Sequence, residues 1–289
     1  MNKLLLFGLL IIGLLYSCKP NKDNKMNQET TQKVSYANAY LSFVPLRAEA
    51  SHRSEMVTQV VFGEYLKVLN TKGGWCYVEL LKDHYQGWIE LRQINSVSEK
   101  EYLDFSKVEP TTVTTSFTKV KIEDKEVLLT KGSILPFYSE GAFLFNGVSI
   151  PYNSPINQGE KNVEALISTA KTYLNTPYLW GGKTEFGLDC SGFSQIVYQI
   201  NGYTINRDAS QQAKQGELIA FLSEAQEGDL AFFDEDERIT HVGIVLKNNQ
   251  IIHAAQGKVR IDSLDTEGIY NAERKKYTHH LRLIKRIIK

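Results

Sequence analysis

Short runs in which apolar and polar residues alternate fill the chain from residue 34 to residue 97. The runs YLKVL at 65–69 and WCYVEL at 75–80 have the period of two typical of half-buried strands, and the turn-forming sequence Lys72-Gly73-Gly74 separates them. No helical period persists here, so residues 34–97 are predicted to form a small all-β barrel. Residues 98–158 repeat the pattern more faintly, in VLLTKGSILPFY and AFLFNGVSI, which predicts a second, diverged barrel.

Near residue 160 a helical spacing replaces the alternation. Apolar residues at 163, 166, 167, 170 and 174 lie on one face of an amphipathic helix, and those at 193, 196, 197 and 200 mark a second helix that begins at about Cys190. Strand-like runs follow at 229–233, 241–246 and 250–255, and LRLIKRII at the C-terminus predicts a further strand. Helices followed by an antiparallel sheet are typical of an α+β domain, which is predicted to cover residues 159–289.

The N-terminal segment has the features of an export signal. An apolar stretch from Leu4 to Leu15 follows one early lysine, and it is too short for an ordinary transmembrane helix. It ends in LLYSC, which resembles the lipobox of bacterial lipoproteins and implies a signal peptide of residues 1–17 and lipidation of Cys18. The alternative is a secretory signal that is cut elsewhere, with Cys18 incidental. Residues 18–33 are polar and are predicted to form a flexible tether.

Composition indicates a globular protein of two or three domains. The chain has 289 residues, 42% hydrophobic and 23% charged, with a formal net charge of zero. This balance gives no support to a nucleic-acid binder, which normally carries a basic excess. Gly182-Lys183-Thr184 imitates the end of a phosphate-binding loop, but Pro177 stands where that loop needs its first glycine. Nucleotide binding is therefore not expected.

The position of Cys190 suggests a reactive thiol. It falls in the first turn of the second predicted helix, with Asp189 as the predicted N-cap. Unpaired N–H groups and the helix dipole stabilise an anion there, and a nearby imidazolium can lower a thiol pKa further. The alternative is a buried structural cysteine.

Cys76 stands at an apolar position of the alternating run WCYVEL. It is interpreted as a small buried hydrophobic residue, not as a disulfide partner of Cys190.

Two histidines lie in the predicted sheet, and the loop between them decides whether they can meet. His241 and His253 flank a turn at about residues 247–249. An even loop would put the two side chains on opposite faces. An odd loop centred on Asn248 makes them diagonal neighbours on one face. A Cys with a His base is the general arrangement for thiol acyl transfer, so the nucleophile hypothesis predicts the odd loop.

A zinc site formed by Cys190, His241 and His253 is the alternative to the nucleophile hypothesis, but no C-x-x-C or H-x-x-x-H pair anchors it.

These residues lie in blocks that resemble the signature of the NlpC-type cysteine peptidases: PYLWGG at 177–182, GLDCSGF at 187–193, RDASQQ at 207–212, GDLAFF at 228–233, HVGIV at 241–245 and IIHA at 251–254. Members of that family are bacterial enzymes with a papain-like α+β fold that cut peptide stems of the cell wall. The resemblance implies that Cys190 is the nucleophile, His241 the base and His253 the third polar member, with no metal or organic cofactor.

The runs GEYLKVL, GGWCYVEL and YQGWI resemble a bacterial SH3 domain, so both predicted barrels are expected to be SH3-like. SH3 modules ahead of the peptidase domain are similar to a subgroup that hydrolyses the bond between γ-D-glutamate and the diamino acid of stem peptides. In that subgroup acidic and aromatic groups hold the free N-terminal L-alanine. By motif position, the implied substrate-binding residues are Tyr178, Trp180, Asp189, Ser191 and Ser210, with Glu55 and Tyr85 from the first barrel.

The same residues allow simpler interpretations. Asp189 could only cap the helix, Trp180 could be a core residue, and Glu55 and Tyr85 could be surface or barrel-packing residues. Two other functional classes also remain: a non-catalytic wall-binding lipoprotein, and a thiol amidase or acyltransferase that uses another acyl donor. The expected partners are peptidoglycan peptides or muropeptides, and the expected location is the cell envelope, anchored by lipid to a membrane and facing the periplasm or exterior.

Overall fold

The computed structural model describes residues 35–288. The predicted signal peptide, Cys18 and the tether lie outside the described residues. Within the described part of the chain, no helix has the length and apolar character needed to cross a membrane.

Residues 35–97 form one antiparallel sheet of seven strands, as the alternating pattern predicts. Apolar side chains of alternate positions, among them Val44, Leu66, Val78 and Ile89, fill its core, and Cys76 is buried with them. The strand order in space is β3-β2-β6-β5-β4-β1-β7. The strands are β1 Ser35–Ala39, β2 Phe43–Arg47, β3 Met56–Val61, β4 Tyr65–Lys72, β5 Trp75–Leu80, β6 Gln86–Glu90 and β7 Ile94–Val97.

Residues 98–158 are also β-rich, but they form three small sheets instead of one continuous sheet. They pair as β10-β9, β11-β8-β14 and β12-β13. Phe62, which follows strand β3 of the first sheet, packs into their core beside Phe143 and Phe145. The SH3-like character of this region stays a prediction. Its elements are α1 Glu99–Phe105, β8 Thr111–Val113, β9 Thr118–Ile122, β10 Lys125–Leu129, β11 Ile134–Leu135, β12 Ala142–Phe145, β13 Val148–Pro151 and β14 Ile156–Asn157.

The remaining residues form the predicted α+β domain, in which helices pack on an antiparallel sheet of order β17-β23-β18-β19-β20-β21-β22. The helices are α2 Val163–Lys171, α3 Cys190–Ile200 and α4 Ala209–Gln212. The strands are β15 Lys183–Thr184 and β16 Gly187–Leu188, which pair with each other, then β17 Glu217–Ile219, β18 Leu230–Glu235, β19 Arg238–Leu246, β20 Gln250–Ala255, β21 Lys258–Leu264, β22 Gly268–Asn271 and β23 Lys276–Arg286.

The two predicted helices are present, with one difference at the end of the first. Helix α2 stops at Lys171, so Leu174, the last apolar position of the predicted face, lies outside it and is exposed. The chain turns there, and Asn175 adopts a positive φ of 67°. The buried residue of this turn is Tyr173, which packs against Phe193 of α3. The helical period therefore predicted a helix about one turn longer than the one observed.

Buried polar contacts join the first sheet to the α+β domain. Lys183 forms a buried ion pair with Glu64 at 2.8 Å, and its backbone N–H donates to the side chain of Gln59. A close backbone approach also lies here: a Cβ at Gly181, whose φ is +74°, would stand 2.1 Å from the carbonyl oxygen of Met56. Glycine is therefore required where the loop before α3 meets strand β3.

Candidate active site

Cys190 lies at the N-terminus of α3, as predicted. Its side chain is 8% exposed, and its Sγ lies 3.9 Å from the carbonyl oxygen of Thr240, the residue before His241. Asp189 caps the helix and accepts a hydrogen bond from the N–H of Gly192 at 2.6 Å. Cys190 and Cys76 are both free thiols, so the expectation that they do not pair is confirmed.

The loop between the two histidine strands is odd, as the nucleophile hypothesis predicts. Leu246 pairs with Gln250 and Ile244 with Ile252, which leaves Lys247, Asn248 and Asn249 in the turn. The two asparagines take the positive φ values, 59° and 53°, that such a turn needs. This register puts His241 and His253 on one face, where Nε2 of His241 lies 2.8 Å from Nδ1 of His253.

A carboxylate that the sequence analysis did not identify continues this chain of hydrogen bonds. Oδ2 of Asp262, on the next strand β21, lies 3.1 Å from Nε2 of His253 and 2.7 Å from Nε of Arg260. Since the carboxylate accepts, His253 carries its proton on Nε2 and accepts at Nδ1 from the Nε2–H of His241. The remaining nitrogen of His241, Nδ1, is then an unprotonated base.

A third histidine, also missed, completes the cluster. His279 of β23 stacks on His241 with ring centroids 4.0 Å apart and an interplanar angle of 19°. Its Nδ1 lies 2.9 Å from Oγ1 of Thr278. The sequence around His279 and His280 has no apolar period that shows which of the two side chains faces inward. Only the pairing of β23 with β18 decides this.

The electrostatics of the site differ from the expectation of an ionised sulfur. Burial raises the pKa of Cys190 to about 12, and the neighbouring Asp189 carboxylate adds to this rise. Burial lowers the pKa of His241 well below its usual value, and the other two histidines lower it further. The raised thiol pKa and the lowered imidazole pKa oppose the resting thiolate that the helix N-terminus predicts, and they favour a neutral thiol and a neutral imidazole in the unliganded protein.

Cys190 lies between two cavities. The barrel-side cavity, of about 530 Å³, is lined by residues of the first sheet and of the α+β domain, among them Glu55, Tyr85, Tyr178, Trp180, Asp189, Ser191 and Ser210. The sheet-side cavity, of about 420 Å³, is lined only by the α+β domain, among others by Tyr178, Asp234, Glu235, His241, His279 and His280. All residues implied as substrate-binding thus lie at one cavity, beside the sulfur.

Contacts decide between the interpretations that the sequence left open for three of these residues. Trp180 is 62% exposed and is not a core residue; its indole N–H donates to Glu55 at 2.6 Å. Tyr85 donates to Asp208 at 3.1 Å across the boundary between the first sheet and the α+β domain. Glu55 and Tyr85 therefore contact the α+β domain at the cavity instead of only packing the barrel.

Asp189 does more than cap α3, because a buried arginine binds it. Arg207 donates to Asp189 at 2.5 Å, to the Ser191 hydroxyl at 2.8 Å and to Thr58 of β3 at 2.7 Å. Arg207 begins the block RDASQQ at 207–212, but its position there predicts no role for it. A charged residue without a local pattern gives no sign in the sequence that it will be buried.

The chain shares this architecture with proteins of known family. The NlpC/P60 family matches residues 175–280, and the bacterial dipeptidyl-peptidase Sh3 domain matches residues 46–94. The chain belongs to the NlpC/P60 family of cysteine peptidases and is a peptidase with an N-terminal bacterial SH3 domain.

Its relatives cover most of its length. A gamma-D-glutamyl-L-lysine dipeptidyl-peptidase of Bacillus subtilis is 32% identical over 75% of this chain and 78% of the relative. A protein of the same name from Bacillus cereus is 27% identical over 75% of this chain and 73% of the relative. The crystal structure of an NlpC/P60 family protein from Bacillus cereus superposes with a TM-score of 0.75 at 22% identity, over 88% of this chain and all of that one, which shows the shared fold.

Proposed function

We propose that this protein is a cysteine endopeptidase that hydrolyses the γ-D-glutamyl-diamino acid bond of peptidoglycan stem peptides with a free N-terminal L-alanine. One observation carries the proposal: Cys190 contacts Thr240, the residue before His241, and lines the sheet-side cavity together with His241, from which a hydrogen-bonded chain runs through His253 to Asp262. The names of the two Bacillus relatives support this assignment of the bond that is cut.

The resting protonation states favour attack by a thiol that loses its proton during the reaction. Nδ1 of His241 takes the proton from Cys190 while the sulfur bonds to the γ-carbonyl carbon. His241 then gives this proton to the departing amine as the C–N bond breaks, and water hydrolyses the thioester to release the acid and the free thiol. The bond from His253 to Asp262 supports the transient imidazolium, because it fixes the ring and adds negative charge nearby.

Two groups are placed to stabilise the oxyanion. Cys190 is the first residue of α3, so its own N–H has no carbonyl partner within the helix. Tyr178, like Cys190, lines both cavities. Burial raises the pKa of Tyr178 to about 12, which keeps it a hydrogen-bond donor through the neutral range. We propose that these two donors share the developing charge.

The barrel-side cavity suits the amine end of the peptide. A buried ammonium needs an anionic partner, and aromatic faces add attraction. Glu55 offers a carboxylate at the rim, where the exposed ring of Trp180 stands beside it, and Tyr85 borders the same space. Asp189 already binds Arg207, so we assign it to holding the cavity wall and Ser191 in place, and we assign the ammonium to Glu55.

The sheet-side cavity suits the departing diamino acid. It lies on the other side of Cys190 and carries two carboxylates, Asp234 and Glu235, near the turn between β18 and β19. A side-chain ammonium such as that of lysine is complementary to them. This agrees with the L-lysine in the names of the relatives.

The location is part of the proposal. The family acts on a substrate outside the cytoplasm, and the sequence LLYSC supports attachment by lipid at Cys18. Replacement of Cys18 by serine is expected to release the protein from the detergent phase in a phase-partition experiment while leaving peptidase activity unchanged. A Cys18→Ser protein that still partitions with detergent would contradict the lipid anchor.

Hydrolysis of L-Ala-γ-D-Glu-L-Lys, followed by mass spectrometry of the products, tests the proposed reaction. Cys190→Ala is expected to lower the rate at least about 10⁴-fold, while Cys76→Ala leaves the catalytic constellation intact and serves as the matched cysteine control. A wall-binding protein without catalysis would show no turnover in either protein. An amidase or acyltransferase for other donors would cut the N-acetylated tripeptide as fast as the free one, whereas the proposed enzyme cuts the acetylated peptide at least about tenfold more slowly.

A further inference from the structure

The three histidines around the proposed base present more nitrogen ligands than the peptidase reaction uses. One ring nitrogen from each of His241, His253 and His279 lies within 4.8 Å of the other two. The proposed reaction needs only the first two rings. We propose that His241, His253 and His279 also form an inhibitory binding site for a divalent transition-metal ion such as Zn²⁺, through Nε2 of His241, Nδ1 of His253 and Nε2 of His279.

The outer partners of these rings are those that orient histidine ligands toward a metal. A metal-bound histidine usually donates its other ring N–H to a carboxylate, carbonyl or hydroxyl. Nε2 of His253 contacts Asp262 at 3.1 Å, which directs Nδ1 inward. Nδ1 of His279 lies 2.9 Å from the Thr278 hydroxyl, which itself donates to the carbonyl of Ile269, so Nε2 of His279 carries the free lone pair.

Burial keeps these ligands in the form that binds a metal. Only the unprotonated nitrogen coordinates. Burial lowers the pKa of His253, and lowers that of His279 to about 4, as it does that of His241. The hydrogen bonds of His253 Nε2 to Asp262 and of His279 Nδ1 to Thr278 put the single proton of each neutral ring on the outer nitrogen, so the ligand atoms of His253 and His279 carry lone pairs.

The distances require a small rearrangement, and the site has room for it. Zinc bonds of about 2.0–2.1 Å in a tetrahedral site place nitrogen ligands about 3.3 Å apart. His241 and His253 are closer, at 2.8 Å, because a proton joins them. His279 must tilt out of its stack on His241, since one ion cannot lie in the planes of two stacked rings. Its ring is only partly buried and borders the sheet-side cavity, through which the ion would enter.

Metal binding has a defined chemical consequence for His241. A neutral imidazole carries one proton, which sits on Nε2 in the resting chain of hydrogen bonds. When Nε2 binds the ion, that proton moves to Nδ1, the nitrogen that faces Cys190 in the proposed mechanism. His241 then has no lone pair for the thiol proton, and the peptidase is inhibited. This consequence rests on the proposed role of His241, but the metal site itself does not.

Binding of Co²⁺ as a spectroscopic probe tests the site without any need for activity. We expect one equivalent of Co²⁺ to give visible absorption bands with the full-length protein, and Zn²⁺ to displace it. The Cys190→Ala protein is expected to keep this binding, with no sulfur-to-metal band in the near ultraviolet in either protein. His279→Phe, which keeps an aromatic ring but loses the nitrogen, is expected to weaken binding at least about 100-fold. The matched control is His280→Phe, because His280 is exposed and is not one of the three ligands.

Activity measurements then test the inhibition. Zn²⁺ is expected to inhibit the wild-type protein and the His280→Phe protein reversibly, with recovery in chelator, and to inhibit the His279→Phe protein at least about tenfold more weakly relative to its own uninhibited rate. If His279→Phe fails to fold, as circular dichroism would show, His279→Gln takes its place. The metal proposal is overturned if the wild type binds no Co²⁺, if His279→Phe binds it equally well, or if Cys190→Ala abolishes binding. If the peptidase proposal alone is wrong, the wild-type protein would show no turnover and would still bind Co²⁺.

Discussion

The two cavities beside Cys190 are built differently. The wall of the barrel-side cavity includes a buried ionic network around Arg207. This arginine donates hydrogen bonds to Asp189, the N-cap of α3, to Ser191 within α3, and to Thr58 of the SH3 domain. The sheet-side cavity has its carboxylates, Asp234 and Glu235, beside a turn within one domain. Asp234 has one loose ion pair, 3.6 Å from Arg282.

This difference suggests how the two halves of a substrate are selected. A cavity whose wall is a buried, fully paired network is rigid, because displacement of any member leaves a charge without a partner. Carboxylates near a turn adapt at little cost. Recognition of the amine end is therefore expected to be strict and to depend on the SH3 domain, and recognition of the diamino acid is expected to be graded. Three predictions test this contrast, and a fourth tests the protonation of the thiol between the cavities.

The largest effect is expected from Arg207→Met. The substitution leaves the buried Asp189 carboxylate unpaired beside Cys190, which is expected to lower the free energy of unfolding by about 3–5 kcal/mol and kcat/KM by more than about 100-fold. Urea unfolding and tripeptide hydrolysis measure the two effects. Arg282→Met, which breaks the exposed pair at the sheet-side cavity, is the control and is expected to change stability by less than about 1 kcal/mol. Equal effects of the two substitutions would contradict the contrast.

Glu55→Gln is expected to remove recognition of the amine end. Loss of a hydrogen bond to a charged group costs about 1.5–3 kcal/mol, so kcat/KM for the free tripeptide should fall about 10- to 100-fold. The rate for the N-acetylated peptide should not change. Glu49→Gln provides a matched control, since Glu49 is exposed on the same domain and does not line the cavity. A similar loss for both peptides would show that Glu55 supports the structure and does not bind the ammonium.

The thiol between the cavities should react as a protonated group. Because burial and Asp189 raise the pKa of Cys190, the thiolate fraction grows about tenfold with each pH unit below that pKa. Alkylation by neutral iodoacetamide is therefore expected to accelerate about tenfold per unit from pH 7 to pH 9.5. A protein with Cys18→Ser and Cys76→Ala isolates the signal, and peptide mapping confirms the site. A plateau below pH 8 would show a thiolate that exists at rest.

Asp234→Asn is expected to have the smallest effect. Kinetics with L-lysine or with uncharged norleucine at the leaving position should show that the preference for lysine falls about 3- to 10-fold, mainly through KM, with little change for norleucine. Asp236→Asn in the same turn, which does not line the cavity, is the control. A change larger than that of Glu55→Gln would reverse the proposed order of the two cavities.

The positions that the sequence predicted well are those with local causes. The N-cap Asp189 before an apolar helical face places Cys190 at the helix tip, and the asparagine turn fixes the register of β19 on β20. That register alone puts His241 and His253 on one face. The α+β class and the first β domain follow from the same periods of 3.6 and two residues.

Two of the residues that were missed, His279 and Arg207, lie far along the chain from their partners. His279 reaches the histidine pair through strand β23, whose neighbours in the sheet are not encoded by any local period. Asp262 lies only nine residues after His253, on the next strand of a hairpin, but nothing in the local sequence shows that its carboxylate is buried. Arg207 contacts Thr58 across 149 positions of sequence. No local pattern distinguishes such residues from charged residues on the surface.

The sequence by itself determined the chemistry that is available: one cysteine at a helix N-terminus and two histidines on neighbouring strands. Only the tertiary structure decided the state of these groups. Burial, which depends on the packing of both domains, raises the pKa of the Cys190 thiol and lowers that of His241. The contacts of Glu55 with Trp180 and of Tyr85 with Asp208 likewise exist only because the SH3 domain docks on the peptidase domain. Local periodicity sets where a side chain stands on its own element, whereas its solvation and its partners depend on which elements pack against it.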